Sequence, residues 1–182
     1  MDPNDKLYQE GLRHYVEALY AARQFESLIV SVIASVLDDN RTKKLTAALG
    51  LDKLHGGGPY IKSPKEDNIA LDSWWGWIAQ QYWLDKPKSG VHFYVGLIFK
   101  GNENSAVLAL GSMRSSVGKV LRKEMKDLAN WNGFELTIEE PLRDDDSLNK
   151  FRQTLVEIID NKFLPFLEKK NFQVQGWFSK IE

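Results

Sequence analysis

The chain has 182 residues, of which 43% are apolar, and its formal net charge is −1. This length and composition predict one folded domain with a sizeable core and exclude a chain that is disordered throughout. The near-zero charge excludes a global attraction to nucleic acid or anionic membranes, and the absence of cysteine excludes disulfides, thiolate metal sites and a cysteine nucleophile.

The first part of the chain, residues 5–50, predicts two helices. We expect Asp5 to cap the first helix, Asp38-Asp39-Asn40 to end it, and a short second helix, Thr42–Leu49, to stop at Gly50. An unbroken first helix would be about 50 Å long. It therefore either kinks near Gly11 or extends past the core to meet a partner. Nine residues at steps of three and four share its apolar face: Tyr8, Leu12, Tyr15, Leu19, Ala22, Phe25, Ile29, Val32 and Val36.

The middle of the chain predicts a loop followed by a β-meander. Residues 51–68 are interpreted as a loop or hinge, because HGGGP and SPKEDN carry turn-forming residues and little apolar pattern. Three antiparallel strands are then predicted: Trp74–Leu84, Val91–Lys100 and Ala106–Ser112. The first of these also fits a helical pattern, but its aromatic content and Gly76 favour a strand.

The last third of the chain alternates helices and strands. It predicts a helix at Arg114–Ala129, a strand at Phe134–Glu140, a long helix at Asp145–Lys169 that Pro165 breaks or kinks, and a strand at Phe172–Ser179. This order predicts an α+β fold, with an antiparallel (mixed) sheet of about five strands packed with helices and preceded by a long N-terminal helix. We divide the chain into a helical segment (1–50), a hinge (51–68) and an α+β core (69–182) within one compact domain.

The aromatic strand is the first candidate site, since four of the six Trp residues fall within Trp74–Trp83. On a β-strand, Trp75, Trp77, Gln81 and Trp83 point to one face. This face is either core, covered by a helix or a second copy, or a stacking platform for a base, sugar or aromatic ligand.

The second candidate site is the junction between the third predicted strand and the next helix. Ser112, Arg114, Ser115 and Lys119 are donors that suit an anion at a helix N-terminus, although the spacing is not that of a P-loop. A basic ridge follows, which is either a solvated outer face or a surface for nucleic acid: Lys119, Arg122, Lys123 and Lys126.

Signals for catalysis are weak in this sequence. His92 is the best candidate for a general base, and the outward-facing Glu135 and Glu139 are candidate acidic partners. The acidic run at residues 144–146 is better interpreted as the start of a helix than as a metal site. We therefore expect no metal and no cofactor.

Three functions remain open from the sequence. The leading hypothesis is a non-catalytic binding or regulatory module for a small anionic, phosphate-bearing ligand or a macromolecular partner. The second is a metal-dependent enzyme that acts on nucleic acid or a phosphoester. The third is a structural protein that forms a homo-oligomer through its N-terminal helix. With no secretory signal and no apolar run of about 20 residues, we expect a cytoplasmic protein without a membrane span.

Overall fold

An antiparallel sheet packed with helices forms the protein, as seen in a computed structural model that describes residues 3–62, 75–83, 91–100, 103–112, 133–139 and 142–170. The strands follow one another in chain order across the sheet: β1 (His55–Lys62), β2 (Trp75–Trp83), β3 (Val91–Lys100), β4 (Glu103–Ser112) and β5 (Gly133–Ile138). The helical segments are α1 (Pro3–Val36), α2 (Asp39–Leu49), α3 (Asp145–Glu157), a π-helical segment (Ile158–Phe163) and α4 (Leu164–Lys170). The predicted α+β fold with its long N-terminal helix is confirmed.

Two predicted elements, the helix at Arg114–Ala129 and the strand at Phe172–Ser179, lie outside the residues that the structure describes. The segments that flank the aromatic strand, residues 63–74 and 84–90, also lie outside them. Within the described part, the choice between helix and strand for the aromatic segment is settled, because Trp75–Trp83 pairs with strands on both sides.

The main core lies between one face of the sheet and the helices. Alternate residues of β3, namely Phe93, Val95 and Leu97, are buried on this face, as the alternation of a central strand predicts. The end of α1 packs against β2, β3 and α3. Strand β4 adds the fully buried Ala106 and Leu108, and the helices contribute eleven more fully buried side chains: Ile29, Ile33, Val36, Leu45, Leu49, Phe151, Leu155, Ile158, Ile159, Phe163 and Leu167.

Strand β1 corrects the prediction of a loop over residues 51–68. His55–Lys62 pairs antiparallel with β2 along its whole length, and the register shifts at a bulge between Gly56 and Gly58. Gly58 has a φ of 92°, which a residue with a side chain rarely adopts. The glycines weaken the local strand signal, but β2 supplies hydrogen-bond partners that override the turn preference.

Helices α1 and α2 begin and end close to the predicted positions. Helix α1 is continuous through Gly11 and starts at Pro3, so Asp5 lies in its first turn and does not occupy the predicted cap position. Asp38 caps α2 by accepting a 2.8 Å hydrogen bond from the backbone N–H of Arg41. Gly50 ends α2 in the left-handed region at φ 65°, as predicted.

The helical segment from Asp145 to Lys170 contains a π turn at its centre. Asp144 caps α3 through a reciprocal capping box with Ser147, which confirms that the acidic run starts a helix. The π-helical segment ends at Phe163, two residues before Pro165, and the N–H of Leu164 donates to Ile159 O, five residues back. Because proline lacks an N–H and crowds the preceding turn, the wider turn accommodates it.

One ion pair joins α2 to the π-helical segment, and nothing in the sequence pattern predicts it. Arg41 Nε and Nη2 lie 3.2 and 3.1 Å from Asp160 Oδ2. Arg41 Nη1 also donates to Asp38 Oδ2 at 3.0 Å and to the carbonyl of Val36, the last residue of α1, at 3.3 Å. One guanidinium thus fixes the end of α1 against two other helical segments.

Candidate functional site

The aromatic strand has one face in the main core and contributes to a smaller cluster on the other. Trp77 is only 9% exposed and packs with Ile98, Val107 and Ala109 on the sheet face opposite the main core. This is the environment of a core residue. Trp75 begins the strand opposite Lys100 in the register.

The remaining aromatic residues of this second face form a row across the strands. The ring centroid of His92 lies 5.0 Å from that of Trp83 and 4.8 Å from that of Tyr94, and Tyr94 lies 5.0 Å from Tyr60. Burial and the neighbouring Tyr60 raise the pKa of Tyr94. Gln81, half-buried, is the register partner of Tyr94. The row therefore runs from a buried histidine to Tyr60, which is 39% exposed on β1.

The end of β4 lies beside this aromatic row. Trp83 pairs with His92, and His92 pairs with Gly111, so the three residues occupy one cross-strand level. Ser112, the next residue, pairs with Val91. The predicted anion-binding residues Arg114, Ser115 and Lys119 lie outside the described residues, as do the other members of the basic ridge: Arg122, Lys123 and Lys126.

The three candidate catalytic residues are not brought together. Glu135 pairs with Val107, which lies four residues before Gly111, the partner of His92. This offset is about 13 Å along the strand. Glu139 follows β5 and lines a different region of the surface, and His92 is 5% exposed. The described ranges contain no cluster of three or more His, Asp or Glu residues that would hold a metal ion.

A groove between β5 and α3 is a feature that the sequence did not indicate. It has a volume of about 390 Å³ and is open to solvent. Its lining is mostly polar: Thr137, Ile138, Glu139, Ser147, Lys150, Gln153, Thr154 and Glu157. Lining residues of both charges and few apolar side chains favour a solvated surface groove over a ligand pocket.

The N-terminal part of α1 carries most of the exposed large apolar side chains among the described residues. Every residue from Asp5 to Gln24 is exposed, a stretch of about 30 Å that we call the arm. The same helix is fully buried at Ile29, Ile33 and Val36. Seven of the ten exposed large hydrophobic residues in the described chain lie in the arm: Leu7, Tyr8, Leu12, Tyr15, Val16, Leu19 and Tyr20.

The apolar residues of the arm form a seam with a seven-residue repeat. Tyr8, Leu12, Tyr15, Leu19 and Ala22 follow one another at alternating steps of four and three, which is the spacing of a coiled coil. The opposite face carries ion pairs, such as Arg13 with Glu17 at 3.7 Å. The arm holds three acidic and three basic residues, so its formal charge is balanced.

Helix α1 is also long and apolar enough, by length and composition alone, to cross a membrane over Asp5–Val36. The length and apolar content of α1 therefore do not by themselves support our expectation that the chain has no membrane span. However, Ile29, Ile33 and Val36 are part of the domain core, and the arm carries six charged residues. Placing such residues in hydrocarbon is costly.

Comparisons with known proteins give no family assignment. No protein-family model, curated protein or solved structure matches this chain.

Proposed function

We propose that this protein is an assembly module that joins copies of itself through the arm of α1. The observation that carries the proposal is a 34-residue helix whose C-terminal end is built into the core while its seam of Tyr8, Leu12, Tyr15 and Leu19 is exposed. Exposing a seam of large apolar side chains to water is unfavourable, and burying it against another surface lowers the free energy. Covering the seam is therefore the driving force for association.

A second copy of the chain is a suitable occupant of this seam. The charges of the arm are balanced, so two arms do not repel one another as a whole. Three of the positions that flank the seam, Gly11, Val16 and Ala18, are uncharged, so like-charge contacts at the edges of a self-pair are few. A coiled coil of copies therefore needs no further partner to balance its charge.

The test compares two double variants that each add two negative charges to the arm. Leu12→Glu with Leu19→Glu places them in the seam, and His14→Glu with Gln24→Glu places them on the polar face. Burying the two leucines is worth at least about 3 kcal/mol per copy, so we expect the seam variant to raise the dissociation constant at least about 100-fold. Sedimentation velocity over a range of concentrations measures this, and circular dichroism confirms that the core stays folded. A wild-type protein that remains monomeric throughout contradicts the proposal.

A second candidate function, binding of an aromatic or phosphate-bearing ligand, is favoured by the row that ends at exposed Tyr60. The ring of Tyr60 packs at a tilt against Tyr94, Tyr94 in turn contacts His92 edge to face, and the end of β4 lies beside the same row. Thermal shift with nucleotides and with inorganic phosphate tests this function. We expect Tyr60→Ala to abolish a nucleotide shift, and no shift with any of these compounds would reject it.

A further inference from the structure

The position of the domain on α1 determines which way round two arms can pair. The buried residues Ile29, Ile33 and Val36 continue the seven-residue repeat of the exposed seam along the same helix. A straight helix turns this repeat by about 20° per heptad, so the buried face is rotated by roughly 50° from the middle of the arm. The sheet of each copy therefore lies on nearly the same side of α1 as its seam.

This placement excludes a parallel, in-register pair of the full α1 helices. In such a pair each seam faces the other helix along its whole length. At residues 29–36, however, the space in front of the seam is already filled by the sheet and α3 of the same chain. Two domains at the same end of the pair would compete for that space, since neighbouring helix axes are only about 8–10 Å apart.

Antiparallel arms avoid this conflict because the two domains lie at opposite ends. We infer that two copies pair their arms antiparallel, with Leu12 opposite the partner's Tyr15 and Tyr8 opposite the partner's Leu19. This inference rests on the proposed self-association. In this register the first residue of α1, Pro3, lies opposite the partner's Gln24, the last fully exposed residue before the half-buried Phe25. The overlap then covers the whole arm and ends where the domain begins.

The small residues of the arm fit this register as well. Gly11 and Ala18 occupy the same flank of the seam, seven residues apart. In the antiparallel pair Gly11 and the partner's Ala18 lie on the same flank of the seam, offset by about 3 Å along the helix axis. These small residues let the helix backbones approach closely on that flank while the large residues fill the seam.

Because the chain contains no cysteine, introduced thiols report the orientation directly. A disulfide needs Cα atoms within about 7 Å of one another. In the antiparallel pair the two copies of residue 19 are separated by about 16 Å along the helix, as are the two copies of residue 8. Residues 8 and 19 of different copies are instead at the same level.

We therefore expect a mixture of Tyr8→Cys and Leu19→Cys proteins to form a covalent heterodimer as the main product of mild oxidation. Neither protein alone should form a covalent dimer, and His14→Cys on the polar face serves as a control for random collision. Sedimentation velocity of the same samples under reducing conditions measures association independently. The covalent partners are identified by mass spectrometry of the excised band.

Each alternative result has a distinct meaning. Efficient crosslinking of Leu19→Cys to itself overturns the antiparallel orientation while leaving self-association intact. A reduced dimer that crosslinks in neither combination overturns the register of the seam. Reduced samples that sediment as monomers at every concentration instead contradict the proposed function itself.

Discussion

The two ends of α1 have the same sequence pattern and opposite surroundings. Leu12 and Leu19 are exposed in the arm, whereas Ile29 and Ile33, on the same repeat, are fully buried against the sheet. A repeat of apolar residues indicates that one face of a helix packs against other apolar groups. It does not indicate whether those groups belong to the same chain or to another one.

The largest expected difference between the two ends is in the free energy of unfolding. Ile33→Ala removes a fully buried side chain and should lower that free energy by about 3–4 kcal/mol. Leu12→Ala should change it by less than about 0.5 kcal/mol, because Leu12 is exposed and none of the described residues covers it. Urea unfolding at concentrations below self-association measures both. Equal losses would show that the arm packs on its own domain.

A pair of glycines sharpens the same contrast. A Cβ on Gly96 would lie 2.3 Å from the carbonyl oxygen of Ile78 in the neighbouring strand, whereas a Cβ on Gly11 meets nothing within 4 Å. Gly96→Ala should therefore lower stability by about 2–3 kcal/mol through overpacking. Gly11→Ala should instead increase the helicity of the arm, since alanine favours a helix by about 1 kcal/mol over glycine. Thermal melts and far-ultraviolet circular dichroism at concentrations below self-association separate the two effects, and a destabilising Gly11→Ala under these conditions would mean that the arm is closely covered within the chain.

The ion pair at the buried end of α1 should contribute more to stability than the ion pair on the exposed arm. Arg41 binds Asp160 and the last carbonyl of α1 in a half-buried setting, whereas Arg13 and Glu17 are exposed on the arm. We expect Arg41→Met to cost about 1.5 kcal/mol, because it leaves a partly buried carboxylate without its cation. Arg13→Met should cost less than about 0.5 kcal/mol. A double-mutant cycle that shows no coupling energy between Arg41 and Asp160 would contradict a stabilising role for this ion pair.

The smallest expected effect is on the acid dependence of stability, and it comes from the residue that caps the start of α3. The backbone N–H of Ser147 donates to the carboxylate of Asp144 at 2.9 Å. This bond, and to a smaller extent the nearby Ser147 side chain, lowers the pKa of that carboxyl. A lowered pKa contributes stability at pH values above the ordinary carboxyl range, and the contribution is lost as the pH falls through the lowered pKa. Asp144→Asn keeps a capping oxygen but does not ionise, so its stability should fall less steeply on acidification. Identical acid profiles of wild type and variant would contradict this role.

The sequence predicts the helices and strands of this fold better than it predicts which of them pack or pair with one another. Alternation in β3 and β5, the acidic run at residues 144–146 and Gly50 are local signals, and each leads to the correct element. Strand β1 was missed because its glycines and Pro59 resemble a turn, and only pairing with β2 makes it a strand. Local pattern carries no information about which strand supplies the missing partner.

The candidate sites depend even more on long-range register. Placing His92 beside Tyr94 follows from strand alternation, and the 4.8 Å ring contact agrees with it. The separation of His92 from Glu135 does not follow from either segment, since it is set by how β3, β4 and β5 align. In the same way, the repeat in α1 marks the seam of the arm, but only the packed end of the helix shows where the seam becomes free.

The irregular form of β1 bears on how far assembly can proceed. This strand lies at one end of the described sheet order, where another chain could add a further strand. Pro59 offers no N–H to such a strand, and the bulge at Gly56 and Gly58 interrupts the regular ladder. The β1 edge of the sheet is therefore a poor template for the addition of further strands into open-ended fibres.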